Sequence, residues 1–167
     1  MRRNNDEVTI ENARVVFRNF AGKAGMYNRE GDRFFSVFLD DEIAEQLLAD
    51  GWNVKRLKPR EDNEIGQAHL QIKVKYSENA RPPRVVLITS RGRNDLDEGT
   101  IEMLDWADFE NVDLKFRPYN WEISGKTGVT AYLKSMYVKI YEDDLDRKYA
   151  EVTTSDDIPA RAGRIDD

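Results

Sequence analysis

Apolar and polar residues alternate with a period of two along much of the chain, most clearly in AHLQIKVKY at 68–76. Leu70, Ile72, Val74 and Tyr76 take one side there and Gln71, Lys73 and Lys75 the other, the pattern of a half-buried strand. Residues 8–17 (VTIENARVVF) predict another strand, with Val8, Ile10, Val15 and Phe17 apolar and a bend where Asn12 and Ala13 break the alternation. RFFSVFL at 33–39 is a strong strand, and the β-branched run RVVLIT at 84–89 reads as a central one. A shorter strand at 54–58 follows Trp52 and is ended by Pro59 and the polar turn at 60–66. Residues 112–140 hold two long strands joined at Ser124-Gly125-Lys126-Thr127-Gly128, a β-hairpin.

Helical spacing appears twice. Residues 40–50 carry an Asp at the N-cap, acids in the first turn, Ile43, Leu47 and Leu48 on one side and Gly51 after the end. Residues 96–107 predict a second short helix on weaker signals, with Ile101 and Leu104 inward and Trp106 closing over the core. About seven strands in antiparallel-looking order with two short helices predict a mainly β fold, an antiparallel β-barrel of which the oligonucleotide-binding barrel fits best. Periodicity alone does not separate such a barrel from a sandwich. The chain divides into a flexible N-terminus at 1–7, one domain at 8–145 and a flexible acidic tail at 146–167.

Charge changes this picture less than the total suggests. The net charge is −6. From Glu142 onward there are nine acidic and four basic residues, so most of the acidity lies at the end, and residues 1–141 are close to neutral. The absence of cysteine excludes disulfides and thiolate chemistry. His69 is the single histidine, which excludes a His-based metal site or a Ser-His-Asp triad within one chain and reads as an ordinary half-buried strand residue. Asp40-Asp41-Glu42 and Glu142-Asp143-Asp144 are explained by a helix N-terminus and a solvated tail, so no metal is expected. Gly125-Lys126-Thr127 resembles the end of a phosphate-binding loop, but Asn120 stands where that motif needs Gly, and a strand follows in place of a helix. No catalytic constellation and no cofactor site emerge. No apolar run approaches the length of a membrane span, and a cytoplasmic protein is expected.

The binding signal is stronger. Lys115, Arg117, Tyr119 and Trp121 fall on one face of the hairpin's first arm, with Leu114 and Phe116 on the other. Single-stranded nucleic acid requires cations along its phosphates and flat rings under its bases, each stack worth roughly 1–3 kcal/mol. Tyr132 and Lys134 on the return arm, Lys126 at the tip, Lys73 and Lys75, Arg91 and Arg93, and Phe20, Lys23, Tyr27 and Arg29 in the glycine-rich loop at 18–32 complete the candidate set. Taken singly, each has a plainer reading, since solvated strands carry charge and aromatic residues are more often core. The return arm is ambiguous, because Leu133 and Tyr137 lie opposite Tyr132, Met136 and Val138. The tail can compete with phosphate for a basic groove, or offer Asp156, Asp157, Ile158 and Pro159 to a partner protein.

The runs FRNFAGKAGMYNREGDRFFSVFLDD, GWNVKRLKPR, SRGR, MLDWADFENVDL and RPYNWEISGKTGVTAYLKSMYV, spanning residues 8–149, resemble a family of bacteriophage and prophage early proteins associated with binding single-stranded DNA. The resemblance implies an oligonucleotide-binding barrel that protects DNA strands in replication or recombination in the host cytoplasm, with an acidic tail that recruits partner enzymes. It assigns no individual DNA contacts. Bacterial single-strand-binding tails end in an aromatic residue after Asp-Ile-Pro, whereas Ala160 follows Pro159 here and the chain runs on to Asp167, which puts docking to host partners in doubt. RNA as ligand and a homo-oligomeric state stay open. The rival reading is a protein-interaction module, a replisome adaptor or an inhibitor of a host enzyme, using the same aromatic face.

Overall fold

The structure, a computed structural model, describes residues 6–26, 28–59, 61–62, 64–79, 81–143, 145 and 148. Its strands are β1 (Val8–Ile10), β2 (Arg14–Asn19), β3 (Arg33–Leu39), β4 (Val54–Arg56), β5 (Ala68–Val74), β6 (Arg84–Thr89), β7 (Gly92–Leu96), β8 (Phe109–Ile123) and β9 (Lys126–Ile140). An α-helix, α1 (Asp41–Ala49), follows β3, and a 3-10 helix spans Ile101–Asp105.

The predicted hairpin is the spine. β8 and β9 pair antiparallel along their whole length, and the sheet runs β1-β8-β9-β5-β3-β2, with β4 on β5 and the β6/β7 hairpin on β9. The far edge of β9 is divided between two parallel neighbours: β5 at Ile72↔Ala131, and β6 from Arg84↔Ser135 to Ile88↔Lys139. The mainly β class therefore holds, but the sheet is mixed, not wholly antiparallel. Among the described residues β1 and β2 do not pair, so it is not closed into a barrel by strand hydrogen bonds. Residue alternation fixes which face of a strand is buried and says nothing of the direction of its neighbour.

One core lies inside the curved sheet. Phe35, Val37, Leu70, Ile72, Phe116, Leu133, Met136 and Val138 fill it, and Trp52 meets Phe116 edge to face at 4.9 Å. α1 starts as expected, with the Asp40 side chain accepting a hydrogen bond from Ile43 N at 3.0 Å. It buries Ala44 and Leu47, while Ile43 and Leu48 are exposed, a narrower apolar stripe than the spacing predicts.

Residues 92–107 depart further from expectation. The segment read as flexible around Arg91 and Arg93 is the turn into β7, which pairs with β6 from Thr89↔Gly92 to Val85↔Leu96. The second helix is a single 3-10 turn. Its three-residue period places Ile101 and Leu104 inward together, and Trp106, two residues on, falls outside and is 75% exposed. Trp106 does not close the core.

A bend and a bulge decide much of which side chains face where. The predicted bend is present at Asn12, where φ is 52°. Within the hairpin the register slips, so that Lys115 faces Ser135 while Phe116 faces Leu133, leaving Lys134 as the extra residue. The extra residue resets the alternation: Leu133, Met136 and Val138 all enter the core, and Tyr132, Ser135 and Tyr137 lie on the other side. That resolves the ambiguity of the return arm. No helix among the described residues is long and apolar enough to cross a membrane.

Candidate nucleic-acid interface

Directly paired residues project to the same face of a sheet. Arg117 pairs with Tyr132, Tyr132 with Lys73, and Lys73 with Phe34, so four strands present a cation, a ring, a cation and a ring in one row outside the core. Along the hairpin the same face continues through the pairs Tyr119↔Thr130, Trp121↔Gly128 and Ile123↔Lys126, and in the other direction to Lys115. Tyr119 is 54% exposed and meets Tyr132 edge to face at 5.6 Å. Lys75 reaches over the Tyr132 ring, its Nζ 5.8 Å from the centroid. A groove of about 430 Å³ runs beside this row between Phe34, Gln71, Lys73, Lys75 and Tyr132 and the loop residues Asn28, Gly31 and Asp32.

Trp121 is placed by a missing side chain. A Cβ on Gly128 would lie 2.5 Å from Cζ2 of the indole, so only glycine opposite lets the ring settle against the strand. Trp121 is half-buried there, part support and part surface.

One acid sits among these cations. Glu7, next to β1 and in register with Arg117, accepts hydrogen bonds from Lys134 Nζ at 2.8 and 3.0 Å. The bond to Lys134, with the nearby charges of Lys134, Lys115 and Arg117, outweighs desolvation and holds the Glu7 carboxyl below the usual carboxylate range. It is therefore ionised at neutral pH and offsets part of the positive charge of this face. Its small contribution to stability is present above the ordinary carboxylate pKa and is lost as the pH falls through the lowered one. Glu7→Gln is expected to tighten DNA binding at low salt by on the order of threefold, and the gain should shrink as salt rises. A titration of both proteins at two ionic strengths checks this; equal affinities at low salt would show that Glu7 does not compete.

Residues 1–163 match the family model "Putative phage ssDNA-binding domain". The chain belongs to this phage ssDNA-binding family. Among solved structures, the single-stranded DNA-binding protein from bacteriophage Enc34 in complex with ssDNA matches at 13% identity with a TM-score of 0.53, covering 82% of this chain and 88% of that chain. The same phage's protein in a second structure matches at 11% identity and a TM-score of 0.53, covering 90% and 88%. At such identities these likenesses show the shared fold. No curated protein matches.

The other sequence-predicted residues of this phage ssDNA-binding domain fall in different places. Phe20 is not a stacking residue: it is fully buried and packs face to face on Phe35 at 5.1 Å. It is drawn in because the Asp105 carboxylate accepts from the Phe20 and Ala21 backbone N–H groups at 2.7 and 3.0 Å. The glycine-rich loop is thus anchored, and Gly31 N donates to Gly22 O at 2.7 Å to close its base. Lys23 leaves the main face and lies 5.4 Å from the exposed Trp106 ring. Arg29 is exposed on the loop, and Tyr27 lies outside the described residues. Arg93 stands 5.6 Å over Tyr137, five residues along β9 from Tyr132, and Arg91 is exposed at the adjoining turn. Lys134 belongs to the face but is held by Glu7. Asp156, Asp157, Ile158 and Pro159 lie outside the described residues.

Sequence reasoning missed Glu7, which falls in a segment read as flexible, and Phe34, Phe38 and Phe17. RFFSVFL carries Phe35, Val37 and Leu39 on one face and Phe34 and Phe38 on the other, so alternation gave no reason to assign any of its rings to solvent.

Proposed function

We propose that this phage ssDNA-binding domain binds a single DNA strand on the outer face of β8, β9 and β5, largely without regard to sequence. Tyr119, Trp121 and Tyr132 stack on bases, while Lys73, Lys75, Lys115 and Arg117 follow the phosphates. The observation that carries this reading is the row Arg117-Tyr132-Lys73, which three separate strands bring together on one solvent face. Packing needs no such arrangement, because the core on the opposite face is already filled by Phe116, Leu133 and Ile72. Family membership accords with it. The action is binding without catalysis: coating of strands exposed during replication or recombination, in the cytoplasm of the host cell.

Titration with oligo-dT, followed by tryptophan quenching, tests the reading. Trp52 is buried in the core, so the signal comes from Trp121 and the distant Trp106. About four neutralised phosphates give a slope of log Kobs against log salt near −3, and stacking leaves residual affinity at high salt. Absence of binding at low salt overturns the proposal.

A further inference from the structure

A second group of rings stands on the same outer face, toward β2. Phe38 pairs with His69 across β3 and β5, Arg14 with Phe38, and Lys55 with His69, so all four side chains share the side that carries Lys73 and Tyr132. The Arg14 guanidinium lies 5.1 Å from the Phe38 centroid. Phe17 joins them against the rule of its strand. After Val15, which faces the core-lining Val37, strict alternation would send Phe17 inward as well. Its φ of 51° and the register slip between Val16 and Asn19 turn it outward, edge-on to Phe38 at 6.1 Å and to His69 at 5.6 Å.

This arrangement is costly on two counts. A bulky residue at positive φ is strained, and the ring that the strain displays is 50% exposed to water. Folding would be better served by a ring in the core. Strain of this kind that packing does not repay is characteristic of binding sites. His69 presents a flat ring whose Nδ1 has no hydrogen-bond partner. The groove on the other side of Phe38 is lined by Arg14 but also by Glu11, Asp40 and Asp41, whose three carboxylates outweigh the one cation and repel phosphate, so a strand lying on these rings passes along the Lys55 side.

We infer that Phe17, Phe38 and His69 form a second base-stacking subsite, flanked by Arg14 and Lys55, so that one DNA strand crosses the sheet from the hairpin to β2. The inference rests on the proposed DNA-binding face and extends it. His69 lies four residues from Lys73 along β5, and Phe38 one strand over, which puts the subsite about 16 Å from Tyr132. A single strand drawn out over a surface advances about 6 Å per nucleotide, roughly twice the stacked duplex rise, so that is near three nucleotides. A strand of two cannot occupy both places, and one of twelve can.

Phe17→Asn tests this, because asparagine tolerates the left-handed conformation and the ring is removed without a new backbone strain. The variant should melt with the wild type, bind dT2 within about twofold of it, and bind dT12 about five- to a hundredfold more weakly. Lys55→Glu, on an exposed side chain, should weaken dT12 binding in the same direction and decides the matter if Phe17→Asn does not fold. Wild-type dT12 affinity in the variants overturns the second subsite and leaves the first intact. Failure of the wild type to bind either oligonucleotide overturns the underlying reading instead.

Discussion

Replacing Tyr132 by alanine is expected to weaken oligo-dT binding by about 1–3 kcal/mol, a five- to 150-fold rise in Kd, while the protein stays folded. Tyr132 is the point where the face converges. It pairs with Arg117 on one side and Lys73 on the other, meets the Tyr119 ring, and carries Lys75 above it. Its side chain points away from the core, so truncation opens no cavity among the buried residues. Tyr132→Phe keeps the π-face and should bind nearly as the wild type does. Trp121→Ala should also lose affinity, but it uncovers the strand at Gly128 and mixes a stability cost into the measurement. Equal affinity of Tyr132→Ala and wild type for dT12, with equal melting temperatures, would remove the stacking role.

Trp52→Ala should be the most damaging substitution for the fold. Trp52 is 2% exposed, packs edge to face on Phe116, and bridges in parallel to Val129 of β9. Large-to-small changes of a buried aromatic cost about 3–5 kcal/mol, a large fraction of a domain's total stability. The denaturation midpoint should fall with little change in slope. Phe116 sits between Lys115 and Arg117 in β8, so the cavity lies directly beneath the proposed binding face. Under conditions where the variant remains folded its DNA affinity should change little, because the outward side chains keep their register. A midpoint within error of the wild type would mean that the neighbouring core closes around the gap.

The two effects should separate because the inner face of the sheet holds the core and its outer face holds the rings and cations. Both faces are written in the same strands, and this explains which features were legible. The hairpin, the β5 alternation and the Asp40 cap depend on residues close in sequence, and each is present in the structure. Phe20 was misplaced because its burial depends on Asp105, 85 positions away, and Trp106 because the short helix before it takes the 3-10 pitch. Lys23 was misplaced with them, since it follows Trp106.

The direction of strand pairing was equally beyond local reading. Parallel contacts of β9 with β5 and β6 depend on how the chain returns, and no alternation pattern records that. Nor does any local signal announce the slip at Lys134, although it sets the facing of every residue between Leu133 and Val138.

By itself, then, the sequence determined the strands, the helix cap and the supply of rings and cations in alternation, because period and capping are properties of neighbouring residues. Tertiary structure alone decided that Arg117, Tyr132 and Lys73 form one row, that Glu7 lies among cations, and that Phe17 turns outward. Those outcomes rest on register and bulges, which are set by the cooperative packing of the whole sheet and cannot be read from any one of its strands.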